Sequence, residues 1–234
     1  MDDEDAYNKA KEFYATIHSK PVYKCSIEEA EMIKVTYNTY ITMKICLANV
    51  VMEAAHKLEN VNCDNVMKGL FLANERLMSP KYPLGGMGDG GGCHPRDNIA
   101  LSWLAQKLDM SYDWYENLMI CREDQTDWLA DLIQEHRGDL PLTILGKCFK
   151  KETNLTVGSP SILLKNLLKE RSEQVDMYDP WVDDYVLELE KRCYFIGTNH
   201  DKFLDYRFPA GSVVLDPWGM IQDQDNVEVI RIGR

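Results

Sequence analysis

The sequence predicts an α plus α/β architecture: an all-helical domain built on one long helix, followed by a small Rossmann-like domain with a parallel sheet. Three observations predict it. Apolar residues recur at helical spacing from about Ser26 to His136, short apolar runs alternate with amphipathic stretches from Leu140 onward, and the two regimes meet at Gly138, a helix stop signal. The division falls at residues 1–137 and 138–234.

The first long helix opens on a capping box, Ser26-Ile-Glu-Glu29, whose hydroxyl and carboxylate each satisfy an orphan backbone donor. Apolar residues then recur at Ala30, Ile33, Tyr37, Ile41, Ile45, Ala48, Val51, Met52, Ala55 and Leu58, with no Gly or Pro between Ser26 and Asn60. About 30 residues at 1.5 Å each make a helix of roughly 45 Å, longer than a small domain needs for its own core. Such a helix serves as a dimer spine or a bridge between domains. Further helices are expected near Asp64–Ala73, over Asn98–Leu108 with Asp97 at its N-cap, and over Tyr112–His136. Between them lies the cluster Leu84-Gly-Gly-Met-Gly-Asp-Gly-Gly-Gly-Cys93, which holds six of the fourteen glycines.

Beyond Gly138 the expected order is strand Leu142–Leu145, helix Ser159–Glu170 with Ser159 at the N-cap and Pro160 at the first helical position, and strand Val175–Tyr178. Helix Val182–Lys191, strand Cys193–Ile196, a short helix after His200, strand Val213–Leu215 and strand Val227–Ile232 follow. Strands alternating with helices imply a parallel sheet covered on both faces, with ligands at the carboxyl ends of the strands.

Composition narrows the function. The 234 residues carry a formal net charge of −12. A nucleic-acid binder needs a basic stripe that this chain does not gather, and an anionic membrane surface is disfavoured for the same reason. No stretch reaches the about 18 uncharged apolar residues of a spanning helix, and Met-Asp-Asp-Glu-Asp is the opposite of a secretory leader's basic start, so a cytoplasmic location is expected. The seven cysteines lack CxxC pairs and metal-ligand spacing, and no metal site is expected.

Gly86-Met-Gly88-Asp-Gly90-Gly91 matches the dinucleotide fingerprint as a string, and Asp109 follows it. Its context is wrong, because Pro80 and Pro83 exclude a buried strand before it. The strand at Leu142–Leu145 is followed by a single glycine, Gly146, so the second half lacks a pyrophosphate signature too. Cys93 is different. It stands where a glycine loop meets a helix start, beside Arg96, and unpaired N–H groups, a helix dipole and a guanidinium all favour a thiolate. The glycines would let a substrate approach the backbone. The residue types leave two readings open, a nucleophile and a cysteine that ends a loop. Lys34 and Asn38, four apart, share one face of the long helix. His94 is adjacent to Cys93 and diverges from it at a helix start.

An ordered set of motifs carries a resemblance. Ala30-Glu31-x-x-Lys34-x-x-x-Asn38, then Arg76, the glycine loop and Gly-Gly-Cys93-x-Pro-Arg-Asp97 come first. Ile144-Leu-Gly-x-x-Phe149-Lys150-x-x-Thr153, Ser159-Pro-Ser, Tyr178-Asp-Pro180 and Thr198-Asn-His200-x-x-Phe203 complete it, over about Ala30 to Trp218. The order resembles the UDP-glucose/GDP-mannose dehydrogenases, most of all their UDP-glucose 6-dehydrogenase branch. The resemblance covers that family's middle and C-terminal domains only, and its N-terminal NAD-binding Rossmann domain has no counterpart in these residues.

The resemblance implies an NAD-dependent oxidation of a UDP-sugar to its uronate. In it, Cys93 would attack the aldehyde formed by a first hydride transfer, giving a thiohemiacetal and then a thioester that water hydrolyses. Lys34 and Asn38 would stabilise the oxyanion and position the reacting hydroxyl, and Asp97 would orient the water or the lysine. Arg76, Tyr82, Gly88, Phe149 and Lys150 would contact the sugar nucleotide, Arg76 from across a homodimer formed through the Ser26–Asn60 helix. Arg96 would lie near NAD, which a separate chain would supply. The departures are Val157-Gly158, where the family has Arg-Glu, a slightly longer stretch between Arg76 and Cys93, and Asp216-Pro-Trp218 for Asp-Gly-Arg. They motivate a second reading, a non-catalytic dimerising module that binds UDP-sugars.

Overall fold

The computed structural model describes residues 4–73, 85–88, 91–107, 109 and 113–234. Helix α1 (Glu4–Ala15), outside the helical pattern read from the sequence, buries none of its residues. Helix α2 (Ile27–Lys57) runs 31 residues, and its capping box forms as expected: the Ser26 side chain accepts from the Glu29 amide, and the Glu29 carboxylate accepts from the Ser26 amide. Helix α3 (Cys63–Phe71) is capped by Asn62. Helix α4 covers Cys93–Lys107 and α5 covers Trp114–Arg137, the latter capped by Asp113 and ended by Gly138 at φ 53°. Among the described residues no helix is long and apolar enough to cross a membrane.

The start of α4 corrects the sequence reading. The helix begins at Cys93, five residues before the expected start, so Asp97 lies inside it instead of capping it. Pro95 is accommodated because it falls in the first turn, where its missing N–H breaks no helical bond.

The second half is a five-stranded sheet, all parallel, in the order β2-β1-β3-β4-β5: β1 (Leu142–Leu145), β2 (Val175–Tyr178), β3 (Cys193–Ile196), β4 (Val213–Asp216) and β5 (Glu228–Arg231). Helix α6 (Pro160–Glu170) joins β1 to β2; Ser159 occupies its N-cap without a side-chain bond, and Pro160 its first turn. A 3-10 turn (Asp201–Asp205) is the short helix after His200.

Alternation along the strands divides the core in two. Leu142, Ile144, Cys193, Phe195, Val213 and Leu215 face α5 and α6, meeting Leu129, Ile133, Leu164 and Leu168. Leu145, Tyr178, Tyr194, Ile196 and Val214 face the other way, onto Phe203, Phe208 and Ile221. That second face is covered by loops and the 3-10 turn, not by helices as expected. No helix forms over Val182–Lys191. Its backbone is engaged by tyrosines of the sheet: Tyr178 Oη donates to the Tyr185 carbonyl, and Tyr194 Oη both donates to the Glu190 carbonyl and accepts from its amide.

The strand order reverses between β1 and β3, and ligand crevices in such sheets open at the carboxyl ends flanking that switch point. Gly146–Lys150 and Gly197–His200 lie there.

Candidate active site around Cys93

One face of α2 and the first turn of α4 form the centre of the site. Cys93 is exposed at the first position of α4. One turn on, Asp97 is 4% exposed and turns toward α2. Its Oδ2 accepts from Lys34 Nζ at 2.6 Å and Asn38 Nδ2 at 2.5 Å, and its Oδ1 from Arg96 Nε at 3.0 Å and a terminal guanidinium nitrogen at 2.9 Å. Burial on its own would raise the Asp97 carboxyl; the donors from Lys34, Asn38 and Arg96 outweigh it and hold it below the ordinary carboxylate range. The Arg96 guanidinium is held above its usual range, chiefly by the bond to Asp97, with a smaller effect from Cys93 beside it. Lys34, Asn38, Asp97 and Arg96 thus form one connected group, with Cys93 next to Arg96.

His94 reaches back to α2. Its Nδ1 lies 2.8 Å from Thr42 Oγ1, and Asn98 Nδ2 donates to the His94 carbonyl at 2.9 Å. Thr42 lies one turn beyond Asn38 on α2, and Asn49 two turns further. The amide of Asn49 pairs with the glycine loop. Sequence reasoning passed over Thr42 and Asn49, although spacings of four, four and seven from Lys34 put all four polar residues on one helical stripe.

The glycines act through close approach. Gly91, at φ 105°, rests on the Phe149 ring, where an added Cβ would lie 2.7 Å from a ring carbon. Gly158, at φ 76°, packs on the Gly92 backbone, where a Cβ would come within 2.2 Å of the amide nitrogen. Gly88, at φ 66°, abuts Pro160. The loop before Cys93 is therefore seated on the second half of the chain. Phe149 is half-buried beneath it, Lys150 is exposed beside it, and Val157 is 82% exposed next to Gly92. Arg76 and Tyr82 lie outside the described residues.

Below Phe149 is a buried cluster, Cys148, Asp179 and His200, the one group of three or more His, Cys, Asp or Glu ligand atoms brought within 4.8 Å among the described residues. Its hydrogen bonding does not suit a metal. His200 Nδ1 accepts from the Glu152 amide at 3.0 Å, so Nε2 carries the proton and donates to Asp179 Oδ2 at 3.1 Å. Burial, with Asp179 adjacent, pushes the Cys148 thiol up to about 12, so no thiolate is on offer. Asp179 Oδ2 also accepts from the Lys147 and Cys148 amides at 2.6 and 3.1 Å, and Oδ1 from the Trp181 amide. Burial opposes its charge, but the bonds from His200 and these amides prevail and keep the carboxyl ionised well below its usual range. The cluster fixes the backbone immediately before Phe149 and Lys150. It also occupies the amides after β1 with a carboxylate, where a dinucleotide-binding sheet would present free amides to a pyrophosphate.

Residues 28–121 match the model of the UDP-glucose/GDP-mannose dehydrogenase family, central domain. GDP-mannose 6-dehydrogenase of Pseudomonas putida is 30% identical over 213 residues, which are 91% of this chain and 46% of that protein. UDP-glucose 6-dehydrogenase TuaD of Bacillus subtilis is 29% identical over 228 residues, 94% of this chain and 47% of its own. A UDP-glucose dehydrogenase structure from Pyrobaculum islandicum superposes with a TM-score of 0.83 at 22% identity, covering 98% of this chain and 56% of that one, a likeness of fold. The chain spans about half the length of the curated relatives it matches. With the motifs in order and the helical and sheet halves both matched, residues 28–121 carry the central domain of the UDP-glucose/GDP-mannose dehydrogenase family, and the chain is similar to members of that family over most of its length.

Proposed function

We propose that this chain supplies the nucleophilic thiol and the sugar-nucleotide site of an NAD-dependent oxidation of UDP-glucose to UDP-glucuronate, with the NAD-binding domain provided in trans. The observation that carries the reading is the connected group of Lys34, Asn38, Arg96 and buried Asp97 beside the exposed Cys93 at a helix N-terminus. NAD, when bound, removes the two hydrides. The turn after β1 does not fit its pyrophosphate, so no part of the chemistry assigned to this chain passes through NAD.

The residues of the chain work around the sugar carbon. Cys93 Sγ adds to the aldehyde carbonyl, and Lys34 Nζ and Asn38 Nδ2 are donors aimed at the oxygen that gains charge. Asp97 holds both donors in place. After oxidation, water cleaves the thioester and the thiol is regenerated. Phe149, Lys150 and Gly88 contact the sugar nucleotide, with Arg76 and Tyr82 joining from the loop and Arg76 crossing a homodimer formed through α2.

The test mixes the purified chain with UDP-glucose, NAD and an NAD-domain protein and follows NADH. Turnover that disappears in Cys93→Ala is the expected result. No turnover in any such mixture, with Cys93 alkylated by iodoacetamide no faster than the other thiols, would sink the reading. A second reading, a non-catalytic dimerising UDP-sugar-binding module, is favoured by Val157, an exposed apolar side chain against Gly92 where the family carries a cation. It predicts UDP-sugar binding by calorimetry that Cys93→Ala leaves intact, with no turnover.

A further inference from the structure

We infer that Asn49 and Arg234 are positioning residues for the glycine loop that leads to Cys93, holding its backbone in one shape before any ligand arrives. The inference rests on the reading of that loop as a wall of the sugar-nucleotide site.

Three polar backbone groups between Gly85 and Gly88 are taken up by these two side chains. The Gly86 amide donates to Asn49 Oδ1 at 3.0 Å, and Asn49 Nδ2 donates to the Gly88 carbonyl at 3.0 Å. Arg234 donates to the Gly85 carbonyl at 3.0 Å. Asn49 is 4% exposed, so its two bonds form without competition from water. A carboxamide is suited to the task, since it offers one acceptor and one pair of donors in a plane and so bridges an N–H and a C=O two residues apart. Glycines provide no side chains to grip, and a loop rich in them would otherwise sample many shapes. Gripping the backbone is the remaining way to fix it, and it moves the ordering cost from binding to folding.

Arg234 reaches the loop from the far end of the chain. Its Nε donates to Asp64 Oδ2 at 2.6 Å, and a terminal nitrogen donates to the Pro217 carbonyl at 2.7 Å. One guanidinium therefore joins α3, the turn after β4, the residues after β5 and the glycine loop. The Trp218 ring packs against Gly86 and Pro160 against Gly88, leaving no room for a Cβ at either glycine.

The test is residue-resolved amide exchange on the whole chain, with UDP-glucose affinity measured in parallel, for Asn49→Leu, Asn49→Asp and Arg234→Gln. The Gly86 amide should exchange roughly tenfold faster in Asn49→Leu, the order expected for one lost buried hydrogen bond, while β1 and β3 stay as in the parent. Asn49→Asp should restore most of that protection, because a carboxylate still accepts from Gly86, yet should bind UDP-glucose more weakly for want of the bond to Gly88. Arg234→Gln should also speed exchange at Gly86 without affecting the strands. Unchanged exchange at Gly86 in Asn49→Leu or Arg234→Gln, or acceleration shared equally by β1 and β3, overturns the inference. If Asn49→Leu does not fold, Arg234→Gln decides it by the same criterion, and loss of Gly86 protection in Asn49→Asp equal to that in Arg234→Gln also counts against it. A parent chain that binds no UDP-sugar defeats the proposed function, and the exchange pattern still decides the positioning role.

Discussion

At Asp97 a buried carboxylate collects donors from Lys34, Asn38 and Arg96, and its charge is thereby tied to the packing of α2 on α4. Its folded carboxyl lies below the unfolded value of about 3.9, so in that range the unfolded chain binds more protons and stability rises with pH. The contribution is complete above about pH 5 and is lost as pH falls through the folded value. Asp97→Asn should cost about 1–2 kcal/mol at neutral pH, since Lys34 and Arg96 can turn to water. It should also shallow the acid limb of a plot of thermal midpoint against pH. The limb will persist in part, because Asp179 is held low by His200 and the Lys147 amide in the same way. An acid limb identical in parent and variant would contradict the assignment.

Among the elements, those with a local signal were legible and those decided by distant partners were not. The capping box at Ser26, the absence of Gly or Pro through α2 and the apolar runs of β1, β2 and β3 are written into neighbouring residues, and these elements form where expected. The segment from Val182 to Lys191 failed because its backbone is bonded by Tyr178 and Tyr194, which no local pattern reveals. The site divides the same way. Cys93 was marked by its glycines, whereas Thr42, Asn49 and the amide-binding role of Asp179 depend on which chain segments meet. Helix α2 also has an outward face on which Met32, Ile33, Tyr37 and Tyr40 are exposed, with Tyr23 beside them. If the homodimer forms there, Ile33→Asp with Tyr37→Asp will convert the sedimentation coefficient to that of a monomer. The far-ultraviolet helical signal should stay unchanged, because neither side chain belongs to the core. A parent chain already monomeric at micromolar concentration would rule out this interface.

For the whole molecule, the division at residues 137 and 138 is a proposal about chemistry, thiol on one side and sugar-nucleotide sheet on the other, and it differs from the division that packing enforces. Helix α5 lies before the boundary, yet Leu129, Ala130 and Ile133 are fully buried in the same core as Ile144, Leu164, Phe195 and Leu215 beyond it. Arg171 and Glu173 reinforce the contact, pairing with Asp127, Asp131 and Arg137 of α5. Each large apolar side chain buried there is worth roughly 1.5–3 kcal/mol. Removing Leu129, Leu132 and Ile133 together would therefore consume much of the about 5–15 kcal/mol by which a domain is stable. A fragment of residues 138–234 should accordingly bind hydrophobic dyes and melt without a cooperative transition. A fragment that begins at Asp113 keeps the cap and all of α5, and it should melt cooperatively with the sheet intact. A sharp calorimetric transition in the shorter fragment would show that the sheet is self-sufficient and that α5 belongs, in energy as well as in sequence, to the half that carries Cys93.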